Sequence, residues 1–208
     1  MKKIDINKWK RQKHFNFFKN MDYPLFNLTL NIDITAFLKQ IKDDQESFFY
    51  AFLFLTTKAM NEVEAFRLRI REEEVVLHDA IHPSFTYLTD EDTFVFTEVK
   101  FVDDFARFKT AALHAADESA KETNLSDEVG RDDFIFVSSL PWLSFTSITH
   151  PINLDKKEQS VPRLTWGKYF QNGDKTFIPL SIQVNHALVD GIHIAQFVGL
   201  LEALLAKW

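Results

Sequence analysis

Apolar residues along the chain follow two periodicities, one typical of strands and one typical of helices. Residues 176–186 give the clearest strand, because Ile178, Leu180, Ile182 and Val184 occupy every second position. Residues 191–208 carry apolar side chains at helical spacing, which predicts a closing helix. The same reasoning predicts further strands over 27–32, 66–71, 74–79, 84–89, 93–101 and 134–139, and further helices over 33–44, 47–63 and 103–122.

Two of these elements differ in how much of their surface they expose. The helix over 47–63 is apolar on nearly every side, which predicts a buried helix. In the strand over 66–71, three apolar residues alternate with Arg67, Arg69 and Arg71, which predicts a half-buried strand with the arginines on its solvated face.

The order of the elements indicates the fold class. Strands and helices mix without the regular alternation of a doubly wound sheet, and no internal repeat is present. We therefore predict a single α/β domain over 1–208, a two-layer sandwich in which a mixed β-sheet is covered by helices on one side.

Composition and charge exclude several classes of protein. The 208 residues include 22 phenylalanines, which predicts an aromatic core, and no cysteine, which excludes disulfides and thiolate nucleophiles. The formal net charge of −6 and the lack of a basic stripe argue against a nucleic-acid partner. The longest apolar run, FFYAFLFL, is far shorter than the roughly 20 residues of a membrane span. With no secretory signal predicted either, we expect a cytoplasmic protein without a membrane partner.

Familiar cofactor and metal motifs are missing from the sequence. The five glycines form no dinucleotide-binding, P-loop or nucleophile-elbow motif, and no HExxH occurs. His78 and His82 are four residues apart, but they fall in a predicted strand and turn rather than on a helix, so no metal site is expected.

The position of His186 is the most informative feature of the sequence. It continues the apolar series of its strand, and Asp190-Gly191 follows just before the last helix. An imidazole partly removed from water favours its neutral form, which can act as a base near neutral pH. The pattern by itself favours a core histidine bonded to a backbone carbonyl, with Asp190 only capping the helix.

Six segments in order give the sequence a recognisable resemblance. PLSIQVNHALVDGIHIAQF contains an HxxxDG motif similar to that of CoA-dependent acyltransferases, and the whole string resembles the chloramphenicol acetyltransferase family. WKRQKHFNFF, NIDITAFLK, AFRLRI with IHPSFTYL, FVSSLPWLSFTS and LTWGKYF resemble segments of that family in its order and near its spacing. The resemblance covers essentially the whole chain.

The resemblance implies a role for each matching residue near the reacting groups. His186 would be the general base that takes a proton from an acceptor hydroxyl, whose oxygen then attacks the thioester of acetyl-CoA directly. Ser138 would donate to the oxyanion, although a strand-end serine can instead bond the backbone. Thr165 would hold a water beside that oxyanion, and Arg11 and Asp190 would form an ion pair that links the N-terminal segment to the catalytic loop.

The resemblance also implies binding sites and an assembly. Trp142, Lys168 and Tyr169 would contact the co-substrate acetyl-CoA, and no permanent cofactor is expected. The active sites of a homotrimer would lie at its subunit interfaces. The chloramphenicol-binding pocket would be lined by Phe17, Phe18, Phe26, Thr86, Phe94 and Leu125.

Some positions depart from the family's pattern. Asn185 and Val189 stand where a histidine and a cysteine are common, and Phe18 replaces a tyrosine. His150 and Arg163 align with apolar positions of the acceptor pocket. The alternatives to chloramphenicol acetylation are therefore the same chemistry on another small hydroxyl compound, or a trimer that binds CoA or a hydrophobic ligand without turnover. The acyltransferase core of a 2-oxoacid dehydrogenase complex, which has a related motif, is disfavoured because no lipoyl domain or linker precedes the fold.

Overall fold

The computed structural model describes residues 1–121, 131–153 and 157–208. Its helices are α1 Gln12–Phe18, α2 Thr35–Asp43, α3 Phe48–Glu62, α4 Phe105–Ser119 and α5 Gly191–Leu205. Its strands are β1 Lys2–Lys3, β2 Leu25–Asp33, β3 Leu68–Arg71, β4 Glu74–Leu77, β5 His82–Leu88, β6 Phe94–Glu98, β7 Phe134–Leu140, β8 Arg163–Gly167, β9 Phe170–Asn172 and β10 Lys175–Asn185.

The main sheet has seven strands and mixed pairing. The order is β2-β10-β8-β7-β5-β6, with β9 paired to β10. Strands β5, β7 and β8 are mutually parallel, and the other pairs are antiparallel. A smaller antiparallel sheet has the order β1-β4-β3.

The predicted alternation along β10 is confirmed and identifies the inner face of the sheet. Ile178, Leu180, Ile182 and Val184 are all 0–1% exposed and belong to one hydrophobic core with residues of α2, α3, α4 and α5. Ile135 and Val137 of β7 join the same core. Helices thus cover this face of a mixed sheet, and the predicted fold class is confirmed.

The opposite, outer face of the sheet is lined by polar side chains and covered by a loop. Asn27 of β2 donates a hydrogen bond to the backbone oxygen of Ile148, and Gln183 of β10 accepts one from the backbone N–H of His150 at 3.0 Å. The loop over 141–153 therefore lies across strands β2 and β10 on this side.

The prediction of a solvated arginine face near residue 69 is wrong. The strand begins only at Leu68, after a 3₁₀ turn, and Arg69 is fully buried. Its guanidinium donates to the carbonyl oxygens of Phe66, Leu68, Asp132 and Phe134. Burial lowers the pKa of Arg69 to about 10, so the side chain stays charged at neutral pH. Four carbonyl dipoles replace the water that such a cation would otherwise need.

Candidate active site

His186 lies immediately after the last residue of β10. Its backbone N–H donates to the carbonyl oxygen of Pro24 at 2.8 Å, which continues the pairing with the start of β2. The imidazole stacks on the ring of Phe18, with centroids 4.0 Å apart and an interplanar angle of 12°, and tilts against Phe26 at 4.6 Å. The side chain remains 35% exposed, so these rings hold it in place without covering it.

Arg11 and Asp190 fix the turn that carries His186, and the predicted ion pair is present. The guanidinium of Arg11 donates to both carboxylate oxygens of Asp190, to the carbonyl of His186 at 2.8 Å and to that of Ala187 at 3.0 Å. Asp190 is also the N-cap of α5. The hydrogen bonds from Arg11 lower the pKa of Asp190, so this carboxylate stays ionised.

The imidazole of His186 has one hidden and one accessible nitrogen. Nδ1 is buried and lies 3.1 Å from Oδ1 of Asp190, but the two are misaligned for a hydrogen bond. No described residue hydrogen-bonds this nitrogen. Since the side chain as a whole is one-third exposed, Nε2 is the nitrogen available to a ligand.

The side chain of Asn185, the last residue of β10, is buried. It is only 3% exposed, and its side-chain oxygen accepts a hydrogen bond from the backbone N–H of Ala187 at 2.9 Å. The amide thus stabilises the turn into which His186 leads.

Replacing Arg11 by methionine is expected to destabilise the fold. The carbonyls of His186 and Ala187 each lose a hydrogen-bond donor. Asp190, with a side chain 27% exposed, loses both its donors and its counter-charge. Breaking a fully buried pair costs about 3–5 kcal/mol, and the partial exposure reduces the expected cost to about 2–3 kcal/mol. Urea unfolding at pH 7 measures it.

The stability lost in Arg11→Met should depend on pH in a definite direction. Because the folded pKa of Asp190 is depressed, its contribution to stability is present above the unfolded pKa of about 3.9 and disappears as pH falls through the folded value. The difference between wild type and Arg11→Met should therefore shrink on acidification below pH 4. A difference that is constant from pH 7 to pH 3 would contradict the assigned ion pair.

Ser138 belongs to a second group of residues, around a cavity of about 320 Å³ on the outer face of the sheet. We call this the outer-face cavity. It is lined by Ser84, Thr86, Phe94, Phe96, Phe136, Val137, Ser138, His150, Pro151 and Arg163. Two predicted acceptor-binding residues, Thr86 and Phe94, thus lie with Ser138 in this cavity. Both residues that depart from the family's apolar pattern, His150 and Arg163, line it as well.

Thr165 has a protein partner where a water was expected. It is opposite Ser138 in the β7–β8 register and is fully buried. Its Oγ1 lies 2.7 Å from Nε2 of His150. Burial, and secondly the charge of Arg163, lower the pKa of His150, so this imidazole is neutral at neutral pH. His150 therefore takes one of the hydrogen-bonding positions of the Thr165 hydroxyl.

Two of the three residues expected to bind CoA border a separate cavity of about 210 Å³. Lys168 and Tyr169 line it together with Phe48, Phe49, Ser139, Pro141, Trp166 and Gly167. The backbone N–H of Lys168 donates to the carbonyl of Leu143 at 2.7 Å, which ties the loop carrying Trp142 to the end of β8. Trp142 itself is 62% exposed. A planar side chain that is this exposed is available for stacking on a ligand.

His186 and Ser138 of one chain are far apart. Ser138 is opposite Thr165, which is opposite Ser181 of β10, and His186 follows Ser181 by five residues. Five residues along a strand and two strand spacings correspond to roughly 16 Å and 10 Å, so the separation is on the order of 19 Å. A general base has to come within about 3 Å of its proton. One chain by itself therefore does not bring these two side chains together.

The other residues predicted to bind the acceptor lie outside the outer-face cavity or outside the described residues. Phe18 and Phe26 lie at His186, and Phe17 packs edge-on against Phe18 with 65% of its surface exposed. Leu125 lies outside the described residues. Sequence reasoning missed Ser84 and Phe96 in the outer-face cavity. Their alternation with Thr86 and Phe94 along β5 and β6 could have shown that they share a face.

His78 and His82 belong to ion-pair clusters. Nε2 of His78 lies 2.8 Å from Asp132, and Nε2 of His82 lies 3.8 Å from Asp133. Within 1–121, 131–153 and 157–208, no group of three or more His, Cys, Asp or Glu side chains could hold a metal ion. The same residues contain no helix with the length and apolarity needed to cross a bilayer.

Comparison with solved structures agrees with the fold. A structure titled chloramphenicol acetyltransferase superposes with a TM-score of 0.86 at 28% identity, covering 99% of this chain and all of the other. A dihydrolipoamide acetyltransferase from Azotobacter vinelandii has a TM-score of 0.70 at 18% identity, covering 94% and 86% of the two chains, and shares the fold.

Sequence relatives and a family model cover nearly the whole chain. A chloramphenicol acetyltransferase from Escherichia coli is 34% identical over 209 aligned residues, 99% of this chain and 94% of that protein. Chloramphenicol acetyltransferase 3 from Escherichia coli is 31% identical, over 97% and 95% of the two chains. The family model described as chloramphenicol acetyltransferase matches residues 1–202. The chain therefore belongs to the chloramphenicol acetyltransferase family and is an acyltransferase.

Proposed function

We propose that this single-domain chain transfers an acetyl group from acetyl-CoA to a hydroxyl of chloramphenicol, in the cytoplasm, while both substrates are bound. The family membership supports this chemistry. The observation that carries the proposal is the position of His186, whose stacked imidazole exposes Nε2 at the end of a buried strand. The absence of cysteine from the sequence agrees with direct transfer rather than an acyl-cysteine intermediate.

In the proposed step, Nε2 of His186 accepts the proton of the acceptor hydroxyl as its oxygen attacks the thioester carbonyl. A C–O bond forms and the carbonyl oxygen becomes an oxyanion, to which Ser138 donates from its hydroxyl. When the tetrahedral intermediate collapses, the C–S bond breaks and His186 returns the proton to the CoA sulfur. Arg11 and Asp190 act as positioning residues, since they hold the turn rather than touch the reacting atoms.

We further propose that each active site is shared by neighbouring chains of a homotrimer. His186 of one chain would face the outer-face cavity, with its Ser138, of the next. The separation of these groups within one chain, on the order of 19 Å, supports this arrangement. The exposure of Phe17 and of Phe94, at 65% and 45%, also supports it, because aromatic side chains are commonly buried by assembly.

Acetyl-CoA would approach along the cavity beside Lys168 and Tyr169. The Phe48 and Tyr169 rings, with centroids 6.0 Å apart, offer apolar walls for the pantetheine arm. Lys168 would meet the phosphates as a point charge, and Trp142 would stack on the exposed part of the ligand.

Replacing Gly167 by alanine is expected to weaken acetyl-CoA binding. A Cβ at this position would lie 2.5 Å from the carbonyl oxygen of Leu143 and 2.9 Å from Cγ of Pro179. The loop that carries Trp142 would have to move away from β8, so we expect the KM for acetyl-CoA to rise about tenfold. Gly199→Ala is the control, because a Cβ there meets no atom within 4 Å. An unchanged KM in Gly167→Ala would argue against this route for acetyl-CoA.

A second acceptor class is favoured by His150 and Arg163. Both line the outer-face cavity beside Ser138, so an acceptor bound there would contact polar as well as apolar side chains. The second candidate function is therefore the same acetyl transfer to another small hydroxyl compound.

An assay of CoA thiol release tests the proposals together. With acetyl-CoA and chloramphenicol, release that depends on the drug supports the first function. Release only with other alcohols supports the second. No release across a broad panel of acceptors, with CoA still bound in calorimetry, would identify a binding protein without turnover and overturn both.

A further inference from the structure

The hydroxyl of Ser84 is buried in the outer-face cavity. The residue is 2% exposed, and its Oγ has no hydrogen-bond partner among the described residues. A buried hydroxyl left unsatisfied costs free energy, which a ligand can recover by accepting a hydrogen bond. Since Ser84 lines the cavity that also contains Ser138, this hydroxyl is placed to contact an acceptor molecule.

Arg163 lies near Ser84 across one aromatic ring. The strand register puts Ser84 opposite Phe136 and Phe136 opposite Arg163, and the guanidinium carbon is 5.4 Å from the centre of the Phe136 ring. Arg163 donates to the carbonyl of Val161 at 3.3 Å. A guanidinium has five N–H groups, so it can serve a ligand alongside the protein groups that it contacts.

This pair lies at a defined distance from the proposed reacting end of the cavity. Ser84 and Arg163 share the register position of Phe136, which precedes Ser138 by two residues on β7. Two residues along a strand correspond to about 7 Å. Consider a ligand whose reacting hydroxyl lies at Ser138. A second group of this ligand, about 7 Å from the hydroxyl, would reach Ser84 and Arg163. The part of the ligand between the two groups would pack against the rings of Phe94, Phe96 and Phe136.

We propose, on the basis of the proposed acetyl transfer, that Ser84 and Arg163 form a subsite for a planar two-oxygen group of the acceptor, either nitro or carboxylate. Ser84 donates its hydroxyl hydrogen to one oxygen, and the guanidinium fork matches the plane of both. Neutral His150 also lines the cavity, bonded to Thr165, and adds no second cation. The acceptors of this enzyme are then hydroxyl compounds with an aromatic body and a two-oxygen group at the far end.

Three acceptors that differ in one group test this subsite. They are chloramphenicol, its analogue with a carboxylate in place of the aryl nitro group, and its analogue with hydrogen there. Wild-type kcat/KM should be about tenfold higher for at least one of the two-oxygen acceptors than for the hydrogen analogue, as one charge-assisted hydrogen bond allows. A higher value for the carboxylate would assign the preference to the charge of Arg163. A higher value for nitro would assign it to Ser84.

Ser84→Ala should remove most of this preference without harming the fold. Losing an unsatisfied buried hydroxyl should leave the denaturant midpoint unchanged or higher. Thr97→Val is the matched control, because Thr97 is also a fully buried hydroxyl without a described partner but pairs with Phe85 on the inner face. The acceptor preference should be intact in this control. Arg163→Leu should also lower the preference, provided that its denaturant midpoint shows it folded.

The outcomes separate this proposal from the proposed function. Equal kcat/KM for all three acceptors in the wild type would overturn the subsite while leaving acetyl transfer intact. The same would follow if Ser84→Ala kept the wild-type preference. If no acceptor were acetylated, the proposed function would fail. Calorimetric affinities of wild type and Ser84→Ala for the three compounds would then decide the subsite by the same comparison.

Discussion

Replacing His186 by alanine is expected to lower kcat by about 10²–10⁴-fold, the range that a positioned general base contributes. The variant should fold, because the imidazole is one-third exposed and donates no described hydrogen bond on which the fold depends. KM for acetyl-CoA should change little, since the residues proposed to bind CoA lie in the segments that follow β7 and β8. Thiol release under saturating substrates measures the effect.

His114→Ala is the matched control for this prediction. His114 is exposed on α4, a helix that carries none of the candidate site residues, so the kcat of this variant should equal that of the wild type. A His186→Ala enzyme that retained more than about a tenth of wild-type kcat would exclude His186 as the general base.

Replacing Ser138 by alanine is expected to lower kcat by about 10²–10³-fold, the usual cost of removing one oxyanion donor. The loss should appear in kcat rather than in KM, because the oxyanion exists only in the transition state and the intermediate. Ser144→Ala is the control, since that serine is exposed in the loop after β7. A rise in KM with unchanged kcat would make Ser138 a binding residue instead.

The two variants together test whether the site is shared between chains. Mixed trimers of His186→Ala and Ser138→Ala chains contain some interfaces at which an intact His186 meets an intact Ser138. With random assembly of equal amounts, this holds for about a quarter of the sites, so about a quarter of wild-type activity should return. Mixed trimers that stay as inactive as either parent would show that each site belongs to one chain.

The sequence predicted best those features that depend on local periodicity. Alternation along β10 identified a strand with a buried face, and the position of His186 at its end followed directly. Asp190 next to Gly191 marked the start of α5, which begins at Gly191. These features depend on neighbours in the sequence, whose relative positions a strand or helix fixes.

The sequence failed where a side chain finds its partners far along the chain. Alternation placed Arg69 with Arg67 and Arg71 on a solvated face, yet Arg69 is buried by carbonyls of residues 132 and 134, more than sixty positions away. His150 reaches Thr165 only because the loop over 141–153 folds across the outer face of the sheet. A sequence pattern likewise cannot show that the hydroxyl of Ser84 has no hydrogen-bond partner among the described residues, because that depends on which side chains the fold brings near it.

The place of β6 at the outer border of the main sheet has a consequence for how this enzyme can change. Phe94 and Phe96 face the cavity from β6, which within the described part of the chain pairs only with β5, whereas His186 follows β10, which is paired on both sides. Substitutions at the border strand can therefore be absorbed by small backbone shifts that do not reach the imidazole. Substitutions on β6 would then change which alcohols bind, while the position of the His186 imidazole that accepts the proton stays the same.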